Sequence, residues 1–211
     1  EAGACLGGAS AKGGRERWSA GFSVGPGQSP QAGRMVTELF SPPRIVPVAV
    51  RSGFLEGRSL DKVNGWDVDK GSDYKEMWRH IIEDEPYFVH LCPPCRKLSI
   101  MQQCTPLERR TDVAQHFQDV EWAEDLVHVV VEVAIYQMER GRHFVYETPP
   151  RCASLRVPVM RQLMQMKGVY VGVASGCEFG MRCPDTLKLM SKSWQFVTSA
   201  PEVAKAVLDE F

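Results

Sequence analysis

The 211-residue chain lacks any apolar run near the ~20 residues that a membrane-spanning helix needs, so no segment reads as a span. Net charge is also scarce. Twenty-five Lys and Arg against 26 Asp and Glu leave a formal charge of -1, which argues against a strong stand-alone nucleic-acid binder. A local basic patch stays open. Cysteine is sparse and odd in number: seven residues scattered along the chain do not make a small secreted disulfide scaffold. Reduced thiols in an intracellular compartment, nuclear or cytoplasmic, are the expectation. The histidines at 80, 90, 116, 128 and 143 show no metal-ligand spacing. There is no internal repeat. No signal peptide precedes the first strand-like run, and a chain opening on Glu1 reads as a piece of a longer translated product.

What is present fits an ordinary globular protein, 44% hydrophobic and 24% charged. The two ends of the chain differ. Residues 1–34 hold nine of the eighteen glycines, mixed with Ala, Ser, Pro and Gln, and such a stretch buries too little apolar surface to offset its ordering entropy. A disordered tail is expected there, with one domain over 35–211.

Within that domain strand-like and helix-like runs alternate. "MVTELF" (35–40) predicts a strand, and "RIVPVAVRSGF" a short helix with Pro47 near its first turn. "GRSLD" (57–61) predicts a second strand. The helix "YKEMWRHIIEDE" is expected to be capped by Ser72 or Asp73 and stopped by Pro86. "YFVHL" (87–91) reads as a buried strand. The valine-rich segment 121–140 reads as a buried helix with Gly141 at its C′ position. "HFVYE" (143–147) is the next strand. A helix opened by Pro158 follows, with Met160, Met164 and Met166 packed on the sheet, then the strand "VYVGVAS". Finally "SWQFVTS" (193–199) leads to a helix in which Ser199 and Glu202 have capping-box spacing. This alternation is the signature of an α/β fold: a Rossmann-like, doubly wound, mostly parallel sheet with helices on both faces.

In such a sheet ligands gather outside the carboxyl ends of the strands. Four strand ends carry chemistry here: "ELFSPPR", "SLDKVNGWD", "LCPPCRKLS" and "FVYETPP". Cys95 has three readings on its own residues: a nucleophile at a strand end, an ordinary structural cysteine, or half of a CxxC redox or zinc pair with Cys92. Cys177 and Cys183 complete a four-cysteine set only with an unusual five-residue spacing. Glu147 reads as a site carboxylate or a solvated turn residue. Asp61 and Asp67, beside Gly65, are turn-formers or ligand-binding carboxylates.

"PPCRKLS" resembles the Pro-Cys-Gln-x-Phe-Ser segment of cytosine-C5 DNA methyltransferases, with Cys95 at the nucleophile and Ser99 at the closing serine. "FVYETPP" resembles their Glu-Asn-Val segment, with Glu147 at the glutamate. "ELFSPPR" is similar to their opening Asp-Leu-Phe-x-Gly-x-Gly-Gly segment and keeps Leu39 and Phe40. The run "ELFSPPRI…GRSLD…GWD…CPPC…GRHFVYETP…CEFGM…TSAPE" more closely resembles methyltransferase-like domains embedded in retroelement polyproteins of dinoflagellate algae, over roughly 35–205.

The resemblance implies S-adenosylmethionine as methyl donor, held by Phe40 and by Asp61 or Asp67, and a nucleic-acid substrate, with Cys95 and Glu147 catalytic. It implies no metal. A thiolate adding at C6 makes cytosine C5 nucleophilic, while an acid at N3 stabilises the developing charge. Arg96 and Lys97 are expected to lower the Cys95 pKa where they lie close to it. Ser41-Pro42-Pro43-Arg44 stands where the family has glycines, which predicts weak cofactor binding. The competing expectations are an inactive module, structural or nucleic-acid-associated, within a larger polyprotein, and a CxxC thiol or zinc protein.

Overall fold

The computed structural model describes residues 34–207. The expected tail, 1–34, lies outside the described residues except for Arg34. The fold is mixed α/β: a six-stranded, mostly parallel sheet with helices packed on it. In chain order the elements are β1 (Met35–Leu39), α1 (Ile45–Arg51), β2 (Leu55–Leu60), α2 (Gly71–Glu83), β3 (Phe88–Leu91) and α3 (Ile100–Gln103). They continue as α4 (Val113–Glu139), β4 (His143–Thr148), α5 (Pro158–Met164), β5 (Tyr170–Ser175), β6 (Ser193–Thr198) and α6 (Pro201–Val207).

The strands lie in the order β2-β1-β3-β4-β6-β5. β1 pairs in parallel with β2 and with β3, and β3 pairs in parallel with β4. The chain therefore leaves β1 toward one side to form β2 and returns to its other side to form β3. Only β6 runs against the rest, antiparallel to β4 and to β5. The reason is local. A parallel neighbour needs a crossover of a dozen or more residues, usually a helix. The connection from Gly176 to Lys192 has no helix, closes on itself through an Arg182–Leu189 bridge, and returns the chain as an antiparallel strand.

Register between β1 and β2 slips by one residue: Val36 pairs with Glu56 but Glu38 pairs with Ser59. Gly57 and Arg58 share the place opposite Thr37, which is a β-bulge. Glycine is required there, because a Cβ at Gly57 would stand 2.3 Å from the Val36 carbonyl oxygen and 2.4 Å from Thr37 Oγ1. The Thr37 hydroxyl accepts the Arg58 backbone N–H at 3.3 Å and satisfies a donor that the bulge leaves unpaired.

Most predicted elements appear where the pattern puts them, with four corrections. α2 begins at Gly71, so Ser72 and Asp73 lie inside its first turn; the Asp73 carboxylate accepts the Asp67 backbone N–H instead of capping the helix. α4 begins at Val113, capped by Asp112 Oδ1 on the Gln115 N–H at 2.8 Å, and so runs eight residues ahead of the predicted start. The Ser199 hydroxyl accepts the Phe144 N–H rather than closing a capping box. Of the three methionines, Met160 is fully buried on α5, while Met166 lies beyond the helix and is exposed.

The core is apolar and continuous. Val89, Leu91, Phe144, Tyr146 and Val197 on the sheet are at most 1% exposed, as are Met77 and Ile81 of α2. α4, as long as it is, buries an unbroken valine stripe including Val129, Val130 and Val133. Among the described residues no helix is long and apolar enough to cross a membrane.

Candidate active site

Where a chain switches from one side of its first strand to the other, the crossover connections diverge and leave a crevice at the carboxyl edge of the sheet. Here that place lies between β1 and β3, and it holds a cavity of about 200 Å³. Its walls come from the ends of three strands and from the helices over them. Phe40 and Asp61 follow β1 and β2, Pro94 follows β3, and Met77, Trp122 and Leu126 come from α2 and α4. Two residues predicted as cofactor-binding, Phe40 and Asp61, thus line one cavity with the proline that precedes Cys95.

Phe40 holds a left-handed backbone (φ 60), unusual for a bulky side chain, and donates its N–H to the Leu60 carbonyl at 2.8 Å. Asp61 Oδ1 accepts the Val63 N–H at 2.8 Å and caps the turn Lys62–Asn64; its other carboxylate oxygen is not engaged by that cap. Asp67 does not line the cavity. Its carboxylate pairs with Lys62 at 3.0 Å, and Lys62 also holds Asp69 at 2.9 Å. Burial opposes the ionised form of Asp67, but the Lys62 ammonium and the Asp69 N–H carry its pKa below the usual carboxylate value. Asp69 accepts from the Trp122 indole N–H, so Lys62, Asp69 and Trp122 join the loop after β2 to α4 at the cavity's edge.

The loop after β1 is built differently from a glycine turn. Glu38, completely buried, lies at the N-terminus of α1. Its carboxylate accepts the backbone N–H groups of Arg44 at 3.0 Å, Ile45 at 3.1 Å and Val46 at 3.3 Å, and the Ser59 hydroxyl at 2.7 Å. A buried carboxylate is tolerated because the donors that a helix start leaves orphaned all converge on it.

Cys95 follows β3 and opens the short turn Arg96–Leu98; Glu147 is on the neighbouring parallel strand β4. The last paired residues of the two strands are Leu91 and Tyr146, so Cys92 and Glu147 both stand one step further on. Burial raises the Cys92 thiol to about 12, and the charge of Glu147 adds to it. Burial likewise raises Cys95, followed by its neighbour Cys152, with a smaller push from Glu147. Both thiols thus share electrostatics with the predicted carboxylate.

The cation expected to activate Cys95 is a different one. Lys97 is paired with Asp119 of α4. Against the stronger effect of burial, the Cys92 thiolate is favoured by Arg44 and then by Lys192, just ahead of β6, and the Cys95 thiolate by a backbone N–H and then by Lys192. Nothing in its sequence spacing marks Lys192, which reaches the site only because β6 is inserted beside β4. His90 is the other residue missed: its Nε2 lies 3.2 Å from Glu147 Oε2, and no short-range motif joins residues 57 positions apart.

Among the described residues the remaining cysteines complete no metal site. Cys152 is buried and its thiol donates to the Leu98 carbonyl at 3.2 Å; Cys177 contacts the Ser175 hydroxyl. Among the described residues no three His, Cys, Asp or Glu side chains gather in a metal-holding group. A larger hollow of about 440 Å³ lies between α1 and α6 over the first residues of β1, β3 and β4, away from Cys95 and Glu147. Compared with known proteins, the chain matches no family model and no curated protein.

Proposed function

We propose that this domain is cytosine-C5-methyltransferase-like, of Rossmann-like doubly wound fold and retroelement origin, with a degenerate cofactor loop. The observation that carries the reading is the cavity at the β1/β3 switch, where Phe40, Asp61 and Pro94 meet. Pro94, the neighbour of Cys95, is in its wall; Cys95 itself and Glu147, on the strand next to β3, are not among its lining residues. Residues of alternate parity on β1 support the fold reading: Val36 lies under α1 and α6, Leu39 under α2 and α4.

The residues fit S-adenosylmethionine at one end only. Phe40, Trp66 and Trp122 supply aromatic walls, and Asp61 has a carboxylate oxygen for a ribose hydroxyl. The amino-acid end does not fit: Pro42 and Pro43 offer no N–H, and Glu38 already takes the donors of α1. When bound, the cofactor supplies the methyl group. In this reading Cys95 adds to C6 of a cytosine turned out of its stack, and Glu147 holds N3. The partners are a nucleic acid and the other segments of a larger polyprotein, in a reducing intracellular compartment.

A second reading, an inactive structural or nucleic-acid-associated module, is favoured by one observation: the buried Glu38 stands where a working cofactor loop needs open donors. Isothermal calorimetry with S-adenosylmethionine and S-adenosylhomocysteine separates the two. Measurable binding of both supports the methyltransferase-like reading; absence of heat for either supports the inactive module.

A further inference from the structure

His90 is 5% exposed on β3, two positions before Cys92, and its ring is asymmetric in its surroundings. Nε2 lies 3.2 Å from Glu147 Oε2, whereas Nδ1 is buried with no hydrogen-bond partner. A buried N–H without an acceptor costs more than a bare buried lone pair. The ring therefore carries its proton on Nε2 and donates it to Glu147. The contact is set by the sheet. His90 pairs with Val145 in the parallel β3–β4 ladder, and Glu147, two residues on, returns to the same face.

We propose that His90 is the positioning residue for Glu147: it holds Oε2 at the carboxyl edge of the sheet and leaves Oε1 outside that contact. Glu147 keeps 24% of its side chain exposed while Oε2 is tied to a buried ring. A carboxylate on a strand end has free χ angles and sweeps a wide arc. One fixed oxygen removes most of that freedom, which is what a group meant to meet a single ring nitrogen requires. The proposal rests on the methyltransferase-like reading for its purpose, but not for its geometry.

Two measurements test it on the full chain. Long-range proton–nitrogen correlation on uniformly ¹⁵N-labelled protein is expected to find the His90 ring in a single Nε2–H tautomer, and a mixed tautomer in Glu147→Leu. An Nδ1–H ring in the unsubstituted protein, or an unchanged ring in Glu147→Leu, overturns the proposal, because the core alone would then set the ring. The second measurement is methyl transfer from S-adenosylmethionine to a cytosine-containing oligonucleotide. His90→Leu is expected to lower kcat by about ten-fold or more, the loss of one hydrogen bond to a charged group, with cofactor affinity unchanged. His90→Gln, whose amide can donate to the same oxygen, is expected to recover most of the rate; equal losses in both variants overturn the proposal. Should the unsubstituted protein transfer no methyl group, the functional reading fails, and the ring tautomer still decides the role of His90.

Discussion

Glu38 accepts the backbone N–H of Arg44 at 3.0 Å, so the first strand of the sheet closes the helix that follows it with its own carboxylate. Two further backbone N–H groups and the Ser59 hydroxyl complete the arrangement. Glu38→Gln would leave one oxygen acceptor and turn an NH₂ group toward the helix's own donors. The expected outcome is a loss of about 2–3 kcal/mol in stability, from unsatisfied buried donors and the lost charge–dipole attraction. Urea denaturation checks it; a loss under about 0.5 kcal/mol would mean that water or a rotated side chain replaces the carboxylate without cost.

Gly57→Ala is expected to destabilise by about 2 kcal/mol or more. The added Cβ meets the Val36 carbonyl at 2.3 Å, and a backbone atom in the middle of a paired strand cannot swing aside as a side chain can. Relief would require undoing the bulge and sliding β2 by one residue, which exchanges its two faces. Thermal melting of the variant, with circular dichroism to confirm the retained fold, is the measurement.

The environments of the thiols predict an order of reactivity. Burial, then the charge of Glu147 and the neighbouring Cys95, hold Cys92 up to about 12, and burial also raises Cys95. Cys183, beside the Thr186 hydroxyl and two backbone N–H groups, is lowered. Iodoacetamide at pH 7.5 is therefore expected to label Cys183 ahead of Cys95, and Cys95 ahead of Cys92. For stability, the sign follows from the raised folded value. Below about pH 9 both folded and unfolded thiols keep their protons and the contribution is constant. Above it the unfolded chain ionises first, so stability falls as pH rises toward 12. Cys92→Ser is expected to lack that part of the alkaline loss. Mass spectrometry after timed labelling and melting curves across the alkaline range check the two statements. Cys92 labelling faster than Cys95 would turn the assignment toward a CxxC redox pair.

Most of the sheet was legible in the sequence because its strands, apart from β2, are short, mainly apolar runs soon followed by Pro, Gly or Ser, and the strand ends gather the polar residues. Cys95, Glu147, Phe40 and Asp61 were singled out because they stand at those ends. What was not legible depends on long-range register. His90 meets Glu147 only through the β3–β4 pairing, and Lys192 reaches the thiols only because β6 turns back beside β4. Asp67 has a local partner that the spacing does not announce: Lys62, five residues before it, pairs with its carboxylate. The early start of α4 escaped because Asp112 and Val113 follow a run of polar residues whose pattern gives no apolar stripe.

The last expectation concerns the cofactor. Asp61 lines the cavity with one carboxylate oxygen held by Val63 and one unengaged by it, whereas Asp67 is tied to Lys62. The two aspartates, alike in sequence, should therefore part in a binding experiment. S-adenosylmethionine is expected to bind in the high-micromolar range or more weakly. The cause is the missing donors at Pro42 and Pro43, where one or two lost hydrogen bonds to a charged ligand remove about 1.5–3 kcal/mol each. Asp61→Ala is expected to weaken what binding there is by about ten-fold, the worth of one hydrogen bond to a carboxylate. Asp67→Ala is expected to change it by less than about three-fold, since Lys62 keeps Asp69. Calorimetry on the three proteins is the measurement. A low-micromolar constant abolished by Asp61→Ala would mean that the loop from Ser41 to Arg44 rearranges around the ligand and that the site is a working one. Equal effects of the two substitutions would place the nucleoside outside this cavity, against the wall formed by Lys62, Asp67 and Asp69.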